Sequence, residues 1–140
     1  MHTRKSLIRQ LKDIEEHPHY SELARCQRYY MLLRTPVLKS CFTREEIANI
    51  HWNYSVTVSG WAERWYQRED AVANAELFMQ TAIRQMEIAQ QLYENPLYKQ
   101  MAFNELQGFY LRMNKTRLSH KPAGSPGTER SSEVSKPETG

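Results

Sequence analysis

The chain has 140 residues, of which 40% are hydrophobic and 11% aromatic, enough to bury a core and too apolar for a wholly disordered protein. Nineteen Lys and Arg against 16 Asp and Glu leave a net charge of +3. Only five glycines and six prolines are present, which argues against an all-β fold. The longest apolar run, residues 29–33, is too short to cross a membrane, so no membrane partner is expected.

The first two predicted helices occupy the amino-terminal third of the chain. Apolar residues repeat at helical spacing over residues 3–16 and again over 21–35, where Ser21 is a suitable N-cap. His17 and Thr35 end these helices, because the residue before a proline avoids the helical conformation. The predicted apolar faces are Leu7, Ile8, Leu11 and Ile14 in the first helix, and Leu23, Cys26, Tyr30 and Leu33 in the second.

The third predicted helix has the clearest start signal. Thr43 and Glu46 form a capping box, in which each side chain can satisfy the other's backbone amide. Gly60 weakens the helix locally, but the apolar stripe continues through it in phase. That stripe consists of Ile47, Ile50, His51, Tyr54, Val58, Trp61 and Trp65.

The fourth and fifth predicted helices cover residues 70–94 and 96–117. In the fourth, alanines recur every seven residues and larger side chains recur at the same interval, which predicts a close helix–helix seam. The small members are Ala75, Ala82 and Ala89, and the large ones Met79, Met86 and Tyr93. The fifth helix is apolar on two sides, one formed by Ala102, Leu106, Phe109 and Met113 and the other by Leu97, Met101, Gly108 and Leu111.

These elements predict an all-α fold, an antiparallel bundle of four to five helices joined by short connections at residues 17–20, 35–42 and 67–70. The bundle domain is expected to span residues 1–117. Residues 118–140 are rich in proline, serine and charge and poor in apolar residues, which predicts a disordered C-terminal tail.

The chain's charge is segregated. Residues 1–44 hold nine Lys and Arg against four Asp and Glu, whereas residues 45–110 hold four against nine. A basic surface of this kind is suited to nucleic acid or to an acidic protein; the alternative is an ordinary solvated face. The candidate binding residues are Lys5, Arg9, Lys12, Arg25, Arg28, Lys115 and Arg117.

A protein interface is the second candidate site. Trp52 lies on the side of the third helix opposite its apolar stripe, near Val56, and the second apolar side of the fifth helix needs a cover. That cover is either a central position in the bundle or a second chain, so a homodimer is one expectation. The predicted interface residues are Trp52, Val56, Leu97, Met101 and Leu111.

Catalytic chemistry has one candidate pair. Arg44 and His51 are separated by six residues, two helical turns apart on one side of the third helix. This pair resembles the motif of HEPN-type ribonucleases, small all-α proteins that dimerise around it. The resemblance implies that Arg44 stabilises phosphate and His51 does acid–base work, whereas the residues alone also fit a boundary histidine. Neither a metal-ligand pattern nor a cofactor motif is present, so no metal and no cofactor are expected.

The favoured function is a small adaptor or accessory protein that docks on a protein or nucleoprotein complex. In size and class the chain resembles small helical subunits of nucleic-acid-guided defence complexes and small phage or plasmid proteins that inhibit them. The alternatives are the ribonuclease and a structural homodimer or chaperone. Two cysteines, Cys26 and Cys41, are expected as free thiols, which favours a cytoplasmic location.

Overall fold

A computed structural model describes residues 3–68 and 71–119 of the chain, with side chains described as far as residue 115. Within these ranges the chain forms six helices and no strand, which confirms the all-α prediction. The helices are α1 (Arg4–Glu16), α2 (Glu22–Leu33), α3 (Leu38–Cys41), α4 (Arg44–Tyr66), α5 (Val72–Leu92) and α6 (Pro96–Ser119). The sequence did not predict α3, a single turn that buries Leu38 within the expected 35–42 connection.

The predicted start signals are confirmed. The Thr43 hydroxyl accepts from the Glu46 amide at 3.1 Å, and the Glu46 carboxylate accepts from the Thr43 amide at 2.9 Å. Ser21 likewise accepts from the Ala24 amide at 3.1 Å and caps α2. These contacts satisfy backbone amides that no helical carbonyl can reach, so the polar residues define where α2 and α4 begin.

The α4–α5 pair is the centre of the bundle. The predicted small and large residues of α5 are buried, together with small residues of α4 that the apolar stripe did not reveal. The Ser55 hydroxyl donates to the Ala82 carbonyl across this contact. Small side chains on both helices allow close approach. The buried residues of this seam are Ala48, Ser55, Ser59 and Ala62 on α4, and Ala75, Met79, Ala82, Met86 and Ala89 on α5.

The remaining helices flank this pair. α2 packs against α4, α1 against α2, and α6 against the other side of α5. α4 passes through Gly60 without a break, and the carboxylate end of the Glu22 side chain from α2 lies over it, 2.9 Å from where a Cβ would stand. The predicted inner face of α6 is confirmed, since Ala102, Leu106, Phe109 and Met113 are all buried.

Three predicted faces need correction. The predicted stripe of α2 is half right: Cys26 and Leu33 pack against the core, but Leu23 and Tyr30 are exposed, whereas Tyr29 and Leu32 are buried. The buried face is rotated toward Tyr29, whose ring stacks on Tyr54 of α4 with the centroids 6.0 Å apart. In α1, Leu7 and Ile14 are buried and Leu11 half-buried, but Ile8 is 43% exposed because α1 is not packed closely along α4. In α4, four of the seven residues of the predicted stripe are only half-buried, namely Ile47, His51, Trp61 and Trp65.

The carboxyl-terminal boundary also differs from the prediction. α6 continues to Ser119, two residues beyond the predicted end of the bundle domain at residue 117. Residues 120–140, which make up most of the predicted tail, lie outside the described residues.

Candidate docking groove

A groove of about 700 Å³ lies between α1, α4 and the start of α6. It forms because α1 packs against α2 and leaves one side of α4 uncovered. Most of its lining is apolar or aromatic, as is typical of sites that bind ligands or partner segments. The lining residues are Ile8, Leu11, Glu15, Phe42, Glu46, Asn49, Ile50, Trp52, Asn53, Tyr93, Tyr98 and Met101.

A line of aromatic rings supports one wall of the groove. Trp52 meets Tyr93 edge to face, with ring centroids 6.4 Å apart, and Tyr93 meets Tyr98 at 5.5 Å. The Tyr93 hydroxyl donates to the Asn49 side chain at 2.6 Å, and burial raises the pKa of that hydroxyl to about 12. These contacts join α4, the end of α5 and α6, so the wall is held in place from three sides.

Polar side chains link α1 to α4 along the groove. The Asn53 amide donates to the Glu15 carboxylate at 2.9 Å, which links α4 to α1. Partial burial raises the pKa of Glu15, and the hydrogen bond from Asn53 opposes that rise. At the other end, Arg4 donates to both carboxylate oxygens of Glu46 at 2.7 Å. The groove therefore presents polar groups that orient an occupant beside the apolar groups that anchor it.

The predicted basic residues do not form one surface. Lys5, Arg9 and Lys12 are exposed on α1, and by helical spacing Lys5 and Lys12 lie one turn either side of Ile8, on the edge of the groove. None of these three forms an ion pair with another described residue. This basic row is the part of the predicted binding surface that adjoins the groove.

The other predicted cations have local contacts or lie elsewhere. Arg25 donates to the carbonyls of Glu15 and His17, both at 3.2 Å, and so caps the end of α1. The Arg28 guanidinium lies 4.3 Å from the centre of the Tyr20 ring. Both arginines therefore make contacts at the end of α1 and in the connection that follows it. Lys115 is exposed at the far end of α6, and the side chain of Arg117 lies outside the described residues.

The predicted interface residues divide into two groups. Trp52 on α4 and Met101 on α6 both line the groove, and Val56 is exposed one turn after Trp52. Leu97 and Leu111 lie exposed on α6, outside the groove. Sequence reasoning missed Asn49 and Asn53 because isolated asparagines on a helix carry no signal. Ile8 was the sequence signal for the groove, because it is an apolar residue of α1 that the packing of α1 leaves exposed.

The candidate catalytic pair faces α5. Arg44 donates to the Gln91 carbonyl at 3.2 Å, and the His51 ring lies 2.6 Å from the Gln85 side-chain oxygen. Burial lowers the pKa of His51, which keeps the ring neutral at physiological pH. Both side chains therefore have structural contacts at the α4–α5 junction, and the ribonuclease hypothesis stays a prediction.

Neither a metal site nor a membrane span emerges from the described residues. No group of three or more His, Cys, Asp or Glu among them could hold a metal ion. None of the described helices combines the length and the apolar character that crossing a membrane requires. Cys26 and Cys41 are both half-buried free thiols, and burial raises the pKa of Cys26 to about 12, so this thiol is protonated and weakly nucleophilic at neutral pH.

Comparisons of the chain with protein-family models, curated proteins and solved structures find no match. The groove must therefore be interpreted from its own geometry and charge.

Proposed function

We propose that this protein is a docking module, an adaptor that binds an acidic amphipathic helix of a partner protein in the groove between α1, α4 and α6. The observation that carries the proposal is the groove itself, an open apolar surface with a fixed aromatic wall. Exposed, contiguous apolar surface of this kind marks sites where proteins meet. Free Cys26 and Cys41 fit a cytoplasmic adaptor.

The shape of the groove favours a helical segment. Its lining residues extend from Ile8 to Glu15 on α1 and from Glu46 to Asn53 on α4. Seven helical steps correspond to about 10 Å, or two turns. A helix lying in such a groove presents its anchors at i, i+3, i+4 and i+7, and the spacing of Trp52, Ile8 and Met101 around the opening offers apolar contacts to such anchors.

The charge at the edge of the groove favours an acidic partner. Lys5, Arg9 and Lys12 form an exposed basic row along α1, beside the apolar Ile8. Carboxylates on one edge of the incoming helix would meet this row while the apolar face enters the groove. Complementary charge of this type accelerates association and selects the partner more than it adds affinity.

The test is a binding titration of the full-length, isotope-labelled protein with a synthetic helical peptide. The peptide carries leucine at i, i+3, i+4 and i+7 and glutamate along one edge; a second peptide carries lysine in place of glutamate. We expect the acidic peptide to shift the NMR signals of Trp52, Asn49 and Asn53, and the basic peptide to bind at least about tenfold more weakly.

Three variants locate the binding. Met101→Glu and Ile8→Glu should each weaken binding of the acidic peptide about tenfold or more, because a carboxylate replaces an apolar contact and repels the peptide. Leu77→Glu is the matched control, since Leu77 is 61% exposed on α5 and does not line the groove.

Two outcomes would reject the proposal. One is binding that Met101→Glu and Ile8→Glu leave unchanged, or no binding of the acidic peptide at all. The other is a salt-sensitive shift of Lys5, Arg9 and Lys12 with single-stranded nucleic acid and none with peptide, which would assign the basic row to phosphate recognition.

A further inference from the structure

The outer face of α6 carries an apolar stripe that no described helix covers. Leu97 is 63%, Met101 45% and Leu111 70% exposed. With Asn104, Gly108 and Lys115, these residues follow one another at alternating spacings of four and three. This is the heptad spacing of helices that pack along their length against another helix.

Gly108 lies in the middle of this stripe. Glycine in a helix interior is unfavourable, since it loses the most conformational freedom on folding. No atom within 4 Å would touch a Cβ added to Gly108, so packing within the chain does not require a glycine. A residue without a side chain allows a second helix to approach closely from outside the chain.

We propose that the outer face of α6 pairs with α6 of a second copy of this chain, antiparallel, with Leu111 of each copy packed over Gly108 of the other. A two-fold axis relates the two contacts, so the Leu111 side chain of each copy fills the space above Gly108 of the other. A parallel pair would instead place glycine against glycine and lysine against lysine, leaving a void and a repulsion.

Charge supports the antiparallel register. Glu105 directly follows Asn104 of the stripe, and Arg112 directly follows Leu111. Both residues therefore lie on the same flank of the stripe, on the groove side of α6. Placing Leu111 over Gly108 brings Glu105 of one copy beside Arg112 of the other on both sides of the axis. The same register sets Asn104 opposite Lys115, whose ammonium can donate to the amide oxygen. Within the chain Arg112 already pairs with Glu63 of α4 at 2.9 Å, so Glu105 of the second copy adds a second carboxylate beside this guanidinium.

This dimer does not depend on the groove being a docking site. Met101 borders both surfaces, so the decisive substitutions are made at Gly108 and Leu111, neither of which lines the groove. A failure of the groove proposal would leave the dimer standing, and the reverse also holds.

The test is sedimentation equilibrium of the full chain over a wide concentration range. The wild-type protein should approach twice the 16.6 kDa chain mass. Gly108→Leu should raise the dimer dissociation constant about tenfold or more while the thermal unfolding midpoint of the monomer does not fall, because the added side chain meets open space and leucine favours helix. Leu111→Ser should weaken the dimer similarly.

Phe103→Ser is the matched control, since Phe103 is 45% exposed on α6 but lies off the stripe, and it should leave the dimer unchanged. Glu105→Arg should weaken the dimer and the double exchange Glu105→Arg with Arg112→Glu should restore it, because the opposite charges again face each other. A wild-type chain that is monomeric at every concentration overturns the proposal, as does a dimer that Gly108→Leu and Leu111→Ser leave intact.

Discussion

The α4–α5 seam and the outer face of α6 use the same sequence device with opposite results. In the seam, small residues alternate with methionines at seven-residue intervals, and every member is buried. On α6, Gly108 is the one small residue of the outer stripe; it lies seven positions after Met101 and three before Leu111, and both of these large residues are exposed. The pattern therefore defines a surface that a helix can cover, and the number of neighbouring helices decides whether it is covered.

Position in the bundle explains the difference. α5 lies between α4 and α6, so both of its sides are in contact with neighbours, whereas α6 packs mainly against α5 and touches α4 at few points, among them the Arg112–Glu63 ion pair. α4 shows both situations at once, since its small residues meet α5 and its Trp52 side opens into the groove. Uncovered surface is thus found at the edges of this bundle, where a partner can reach it.

Truncating one methionine in the α4–α5 seam and one on the outer face of α6 is expected to give the largest difference in stability between the two regions. Met79 is fully buried in the seam and Met101 is 45% exposed, so Met79→Ala should destabilise the fold by about 2–5 kcal/mol and Met101→Ala by no more than about 0.5 kcal/mol. The difference arises because only Met79 leaves a cavity. Chemical denaturation followed by circular dichroism measures both losses.

Equal losses from the two truncations would contradict the contrast between covered and uncovered surface. Met86 lies seven residues after Met79 on the same face of α5 and is also fully buried. Met86→Ala should therefore behave like Met79→Ala and serves as the internal control. In a dimer, Met101→Ala should also shift the monomer–dimer equilibrium without lowering the stability of the monomer.

The elements were predictable where the sequence has a regular seven-residue repeat or a capping box. The seven-residue spacing of Ala75, Ala82 and Ala89 identified the buried face of α5, and Thr43 identified the start of α4. α2 failed because Tyr29 and Tyr30 are adjacent aromatics, as Leu32 and Leu33 are adjacent leucines, so the apolar pattern permits two phases. The contacts of α2 with α4 and α1 decide between them, and those are tertiary contacts.

The candidate groove was only partly predictable for the same reason. Trp52 and Met101 stood out as apolar residues on the less apolar sides of their helices, and both line the groove. Ile8 and Leu11 were assigned to the core, since a sequence does not reveal that α1 and α4 diverge. Asn53 contributes through its hydrogen bond to Glu15, a pairing 38 positions apart that no local pattern indicates.

Removing one serine hydroxyl from the α4–α5 seam tests a smaller contribution to stability, that of the hydrogen bond between the two helices. The buried Ser55 donates to the Ala82 carbonyl of the neighbouring helix, whereas Ser59 donates to the Val56 carbonyl of its own helix. We expect Ser55→Ala to cost about 1 kcal/mol, the usual net value of a buried hydrogen bond. Ser59→Ala is the matched control and should cost less, because its hydrogen bond joins no second helix. Urea denaturation compares the two, and equal losses would show that the interhelical bond adds nothing.

The smallest effect concerns the edge of the groove, where Arg4 and Glu46 form an exposed ion pair. The Arg4 side-chain hydrogen bonds, followed by the Thr43 amide, lower the pKa of Glu46 from its ordinary 4.5 to about 2. A carboxylate with a lowered folded-state pKa adds stability above its unfolded pKa and loses it as the pH falls through the folded value. Stability should therefore decline between pH 4.5 and about 2, and Glu46→Gln should flatten this part of the profile.

The contribution of this pair is limited by solvent, because exposed ion pairs are screened and add little to stability. Arg4→Gln separates the two causes of the lowered Glu46 pKa. It removes the hydrogen bonds from the Arg4 guanidinium and leaves the hydrogen bond from the Thr43 amide in place. We expect the Glu46 titration midpoint, followed by carbon NMR, to rise in Arg4→Gln but to stay below 4.5. An unchanged midpoint would mean that the capping box alone holds the carboxylate. In that case the polar attachment of α1 at this end of the groove would be the Arg4 hydrogen bond to the Cys41 carbonyl at 3.0 Å, whereas the other end keeps the hydrogen bond from Asn53 to Glu15.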